Sequence, residues 1–276
     1  MRPRSLRPTS VYRLSQGNLA VSEDGGRTFP TTHPIALPGG IVCCTSEESA
    51  MGLVVADAIA VSPTDSAWVC VGAAMEGIIA TQGGEGLWIS NDGGLRWRRS
   101  GMDTDLSVQD VAVVPGNADT LYAVAYAGFD SGMPGLWRSI DGGQTWTEVT
   151  SLPGPVYSVA TPTATLVLVG GAARICRSTD AGLTFSSLSL AVPIWTDTGA
   201  STEGMPVEAV LAPRSGTLFA GTGLGVARST DGGMSWQIIS EPVGDPPVLP
   251  GGLHLGGNGT LVVATDVGTF GFRYSG

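Results

Sequence analysis

An eight-residue pattern, S-x-D-[GA]-G-x-x-[WF], occurs five times in this chain, at Ser22–Phe29, Ser90–Trp97, Ser139–Trp146, Ser178–Phe185 and Ser229–Trp236. Its chemistry is that of a hairpin turn. The aspartate accepts bonds from backbone N–H groups just ahead of it. The glycines supply the positive φ of a tight turn, and the closing Trp or Phe buries its ring at the hairpin base. Asp24, Asp92, Asp141, Asp180 and Asp231 stand 68, 49, 39 and 51 residues apart, the spacing of repeated four-stranded sheets with variable loops. Their expected role is structural.

Each motif closes a longer unit. Before it lies a short run such as GLWRS (Gly135–Ser139) or GVARS (Gly225–Ser229). Before that comes a β-branched run such as TLYAVAYA (Thr120–Ala127) or TLFAGTG (Thr217–Gly223), and before that a strand ending near a proline, such as VYSVATP (Val156–Pro162) or VEAVLAP (Val207–Pro213). These runs predict four antiparallel strands per unit. Arg7–Gly26 fits strands two and three with the aspartate turn, and Leu253–Gly276 fits strands one to three. The chain is therefore expected to be all-β, a single domain over 1–276 and a six-bladed β-propeller of four-stranded antiparallel blades. Five blades result if the two ends merge into one.

Composition narrows the function. The net charge is −10 and all fourteen basic residues are arginine, so nucleic acid is not an expected partner. No apolar run reaches the length of a membrane helix, and Met1–Ser10 lacks the apolar stretch of a secretory signal. A cytoplasmic monomer is expected, with a mature exported form left open. Cys70 and Cys176 are expected as buried reduced thiols. No CxxC spacing suggests a metal, and no cofactor is expected.

The repeated motif resembles that of the Asp-box (BNR-repeat) propellers, a sialidase-like fold superfamily. It includes sialidases, some xyloglucan-active glycoside hydrolases, sortilin-type receptors and photosystem II assembly factors. The resemblance covers nearly the whole chain and implies the fold rather than an activity. Sialidases use an arginine in a Y/F-R-I-P motif, two further arginines, a Tyr–Glu pair and an acid/base Asp. The nearest match here, Tyr12-Arg13-Leu14-Ser15, lacks the proline. Most arginines are expected on the face that carries the aspartate turns, and only Arg174 clearly on the opposite loops, so the sialidase triad is not expected.

Two regions are candidate sites. The long segments Thr31–Gly52, Gly72–Gly86, Ala127–Pro134, Ala191–Pro206 and Ser240–Gly251 are expected as loops on the opposite face. They include Asp130 and an aromatic, Trp195, suited to a sugar ring. The second region comes from aligning the innermost strands. Asp57, Gln109, Tyr157, Glu208 and His254 share one position between apolar neighbours, and strand alternation would aim all five into a central channel. Read catalytically, Asp57 and Glu208 are acid and base, with Tyr157 and His254 as donors or relay. Gln109, Trp195, Asp130 and Arg174 are the binding candidates. The competing reading is a polar lining of a wet pore. The function expected is a binding or assembly module for a protein or carbohydrate, working through the loop face and channel. The alternative is a glycoside hydrolase with a carboxylate pair in the central pocket.

Overall fold

The computed structural model describes residues 11–15, 18–24, 27–35, 53–62, 64–76, 86–103, 105–127, 133–172, 174–189, 194–196, 199–201, 206–213, 216–222, 225–239, 248–255, 260–265 and 268–273. The chain divides into two compact units, Met1–Glu148 and Val149–Gly276. All the described elements are strands, and every pairing is antiparallel.

The first unit holds three sheets. β1 (Val11–Ser15), β2 (Asn18–Ser22) and β3 (Thr31–Pro34) form a three-stranded sheet. β4 (Leu53–Val61), β5 (Val69–Glu76), β6 (Gly86–Ser90) and β7 (Arg98–Arg99) form a four-stranded one. β8 (Leu106–Val113), β9 (Leu121–Ala127), β10 (Gly135–Ser139) and β11 (Thr147–Glu148) repeat that order.

In the second unit β12 (Val156–Ala160), β13 (Val167–Gly171), β14 (Arg174–Ser178) and β15 (Ser186–Ser189) make another four-stranded sheet. β16 (Ile194–Thr196) and β17 (Gly199–Ser201) form a separate hairpin. β18 (Val207–Leu211), β19 (Leu218–Thr222), β20 (Gly225–Ser229) and β21 (Gln237–Ile238) follow as a four-stranded sheet. β22 (Val248–Leu255), β23 (Thr260–Thr265) and β24 (Gly268–Arg273) form a three-stranded one.

The second strand of a sheet reads as a continuous apolar run because it is buried on both faces. In β5, Val69, Val71 and Ala73 join Leu19 of β2 in one core, while Cys70 joins Leu87, Leu121 and Ala123 in the next. In β19, Leu218 and Ala220 pack with Leu168, and Phe219 packs with Leu253 and Leu261. Each such Leu or Phe contributes about 1.5–3 kcal/mol by leaving water. The fourth strands are the opposite case. β7 is two exposed arginines, and β11 is an exposed Thr–Glu pair. Edges this short and polar resist pairing with other chains.

Cys70 and Cys176 are buried free thiols. Burial pushes the Cys70 thiol up to about 12, which keeps it unreactive. Four segments expected as loops contain strand residues, and in Ser240–Gly251 these are residues 248–251 of β22. Thr31–Pro34 pairs along β2, where Ile35 is buried against the core. β5 continues to Glu76 because β4 pairs with it as far as Leu53. The segment 191–206 contains the β16–β17 hairpin, whose centre pairs Trp195 with Ala200.

Candidate functional site: turns and bulges

The five aspartates form one repeated hydrogen-bonded turn. In each, a buried serine two residues earlier donates its hydroxyl to the aspartate Oδ1, at 2.7 Å for Asp24 and Asp180 and 2.8 Å for Asp92, Asp141 and Asp231. The same Oδ1 accepts the N–H groups three and four residues on, as from Gln144 and Thr145 to Asp141, both at 2.9 Å. A hydroxyl four residues on donates to Oδ2 at Thr28, Thr145, Thr184 and Ser235. With that many donors the carboxylates of Asp24, Asp141, Asp180 and Asp231 are held in their charged form. The bond from the Thr145 hydroxyl leads in drawing Asp141 down to about 2. Asp24, Asp180 and Asp231 are likewise held well below the ordinary carboxylate range, led by the bonds from Ser22, Thr184 and Ser235.

These turns tie the sheets together. The N–H of Gly93, Gly142 and Ala181 donates to Ala67, Asp119 and Thr165 in the turn between the first two strands of its own sheet. The two kinds of turn therefore share one face, as strand parity predicts. Contacts also reach a neighbouring sheet. Arg177 Nε donates to the Gly232 carbonyl at 2.8 Å, and Arg98 Nη2 to Gly142 at 3.0 Å. Serine was the missed residue. Its Oγ accepts the buried N–H of Gly94, Gly143, Gly182 and Gly233 at 2.8–2.9 Å, and its invariance through the five copies was the available signal.

The aligned polar residues of the innermost strands have a different local cause from the one expected. Val108 pairs with Ala125 and Asp110 with Val124, so Gln109 is an extra residue, a β-bulge. Asp57 is skipped in the same way between Ala56 and Ala58, Tyr157 between Val156 and Ser158, and Glu208 between Val207 and Ala209. Simple alternation therefore does not set where these residues aim; the bulge does, because an extra residue redirects a side chain and twists the strand. His254 departs from the set. It pairs in register with Val262, and the irregularity falls earlier, between Val248 and Leu253. That stretch contains Pro250, which has no N–H to give, and Gly251–Gly252.

In the second unit two bulges meet. A Cβ added at Gly170 would collide with Ser158 of β12 and lie 2.5 Å from the Val207 carbonyl of β18. Tyr157 and Glu208 are the neighbours of those two residues, and both are partly buried. Burial, and then the Glu208 charge, raise the proton affinity of the Tyr157 phenol. Burial alone raises that of Glu208. The buried Ser158 Oγ makes no hydrogen bond among the described residues.

In the first unit the buried Gln109 Oε1 likewise has no partner among them. Arg174 begins β14, and its Nε donates to the Ala172 carbonyl at 3.1 Å. The Tyr12–Ser15 segment lies in β1, where the Tyr12 hydroxyl donates to Ser66 O at 2.6 Å and the Arg13 guanidinium stacks 4.5 Å from the Phe29 ring. Asp130 and the side chains of Asp57, Trp195 and His254 lie outside the described residues. No metal-binding group of His, Cys, Asp and Glu occurs among the described residues. No helix among them is long and apolar enough to cross a membrane.

No protein-family model and no curated protein matches this sequence. Solved structures do resemble it. An ancestral GH74 enzyme shares 19% identity at a TM-score of 0.54, over 94% of this chain and 33% of its own. The GH74 xyloglucanase of Xanthomonas campestris shares 17% at 0.53, over 94% and 40%. The extracellular domain of a hybrid two-component system from B. thetaiotaomicron shares 16% at 0.61, over 96% and 32%. The fold is that of a β-propeller. This chain spans a third to two-fifths of the length of those proteins.

Proposed function

We propose that this chain is an Asp-box propeller acting as a binding or assembly module, which takes its ligand or protein partner through its loop face and channel. The supporting observation is the use of β-bulges on four innermost strands, which leave Asp57, Gln109, Tyr157 and Glu208 out of the strand pairing. Bulges are retained features that aim a side chain where regular pairing would not. The aspartate turns are spent on backbone N–H groups and hydroxyls, and the sialidase-like Arg13 stacks on Phe29, so neither is left as catalytic machinery. The test is turnover. Purified protein is offered xyloglucan, aryl glycosides and sialyllactose, and its binding to the same saccharides is measured by calorimetry. We expect no turnover, and weaker binding of any ligand found in Tyr157→Ala and Glu208→Ala.

A second reading, a glycoside hydrolase, has one observation in its favour. Burial holds the Glu208 proton more tightly than an ordinary carboxyl does, the property of a general acid. It needs a second carboxylate, and Asp57 is the candidate. Turnover by the wild type, abolished in Glu208→Gln and Asp57→Asn without a lower melting temperature, would put this reading in place of the first.

A further inference from the structure

We propose that Tyr157 and Glu208, at the junction of the β12 and β18 bulges, form a binding site for a cationic amine, a primary or quaternary ammonium. The inference rests on the binding-module reading and names the chemistry its site would take.

The geometry comes first. Gly170 lies against both Ser158 and the Val207 carbonyl, which brings the two bulges side by side. Each bulge presents its one extra residue, a phenol from β12 and a carboxylate from β18. A carboxylate drawn part-way out of water loses hydration that only a cation or several donors can replace. Burial raises the proton affinity of Glu208, the direction expected where the charged form is left short of such compensation. Arg174 and Arg177, the arginines of β14, are engaged with the carbonyls of Ala172 and Gly232. The site is thus a carboxylate in need of a counter-charge beside an aromatic ring, and ring faces attract ammonium groups. The net charge of −10 draws cations toward the protein and repels anionic ligands.

The ammonium could belong to a free small molecule or to a lysine of a protein partner, and the probes separate these. Choline stands for the first and Nα-acetyl-lysine methylamide for the second. Their neutral counterparts are 3,3-dimethylbutan-1-ol and the Nε-acetylated derivative. Binding to the full chain is measured by calorimetry or ligand-observed NMR. We expect one of the two cations to bind, and its neutral counterpart to bind about tenfold more weakly or not at all, the scale of one charge-assisted contact. Glu208→Gln is expected to match that loss, and Tyr157→Phe to retain most of the affinity because the ring face remains. Preference for choline assigns a small ligand, and preference for the lysine derivative a protein segment. Equal binding of the neutral counterparts, or cation binding unchanged by Glu208→Gln, overturns the proposal. So does the absence of binding by either cation. Saccharide or partner binding that persists in those cases leaves the binding-module reading intact, whereas wild-type glycoside turnover removes that reading separately.

Discussion

Replacing Ser139 by alanine tests whether the serine of the repeated turn matters as much as its aspartate. Ser139 is 1% exposed. Its Oγ accepts the buried N–H of Gly143 at 2.9 Å and donates to Asp141 Oδ1 at 2.8 Å. Alanine removes both bonds, and the longer one from the Asp141 N–H at 3.4 Å, and puts no polar atom in their place. The Gly143 N–H then stays buried without a partner, which costs about 1–3 kcal/mol. Asp141 keeps its bonds from Gln144 and Thr145, so the turn should loosen rather than be lost. For a domain of this size each kcal/mol lowers the melting temperature by about 2–4 °C. Thermal unfolding at neutral pH measures the total, and hydrogen exchange of the Gly143 amide reports the loss locally. Ile140→Ala, one residue along and 64% exposed, is the control, expected within about 0.5 kcal/mol of wild type. If Ser139→Ala melts with that control and the Gly143 amide stays equally protected, the serine is dispensable and the reasoning fails.

Other substitutions probe the same turns and the bulge. Gly142→Ala forces φ 71° on a residue with a side chain, and its Cβ would meet nothing nearer than Asp119 Oδ1 at 3.5 Å, so strain of about 1–2 kcal/mol is expected. Gly143→Ala adds a collision with Ile89 Cδ1 at 2.7 Å and should cost about 1–3 kcal/mol more in denaturant unfolding; equal losses would contradict the packing described. Ala181 already holds φ 57°, so Ala181→Gly should stabilise by up to about 1 kcal/mol, strain relief outweighing chain entropy, and a lower midpoint would refute this. Asp141 is depressed from 3.8 to about 2, so its contribution is complete above pH 4 and lost as pH falls from there through 2. Asp141→Asn should accordingly narrow its gap to wild type across that window, and a constant gap would show that the charge is not what the turn holds. Glu208 is shifted the other way. Its ionisation opposes folding above the ordinary glutamate pKa, so Glu208→Gln should melt higher than wild type at pH 7 and level with it at pH 3.

The fold was readable in the sequence because its determinants are local. An Asp–Gly–Gly turn needs only neighbours within four residues, and Asp141 finds all its partners between Ser139 and Thr145. Burial of second strands on both faces turned Leu121–Ala125 and Val167–Gly171 into unbroken apolar or small-residue runs, visible without any pairing information. The β16–β17 hairpin was not readable, since Ile194–Thr196 and Gly199–Ser201 are three residues each and carry too little periodicity to separate a strand from a loop.

The bulges are a feature of register that a single strand's sequence does not carry. An apolar–polar–apolar triplet such as Val207–Glu208–Ala209 looks the same whether its polar residue is regularly paired or skipped, because register is a property of two strands and not of one. The partner strand holds the missing information. Gly72, Gly170 and Gly221 face Ala58, Ser158 and Ala209, the residues just past three of the bulges. At Gly72 and Gly170 the innermost strand of an adjacent sheet presses so close, through Val108 and Val207, that no Cβ fits. A strand crowded at that level on one side cannot also keep a continuous ladder with an untwisted neighbour, and expelling one residue from the pairing relieves both demands. The expelled residue need not be apolar, since it no longer packs between sheets. Packing therefore accounts for the positions opposite Gly72 and Gly170, and the choice of Tyr157 and Glu208 to fill two neighbouring bulges is where selection for a ligand would act.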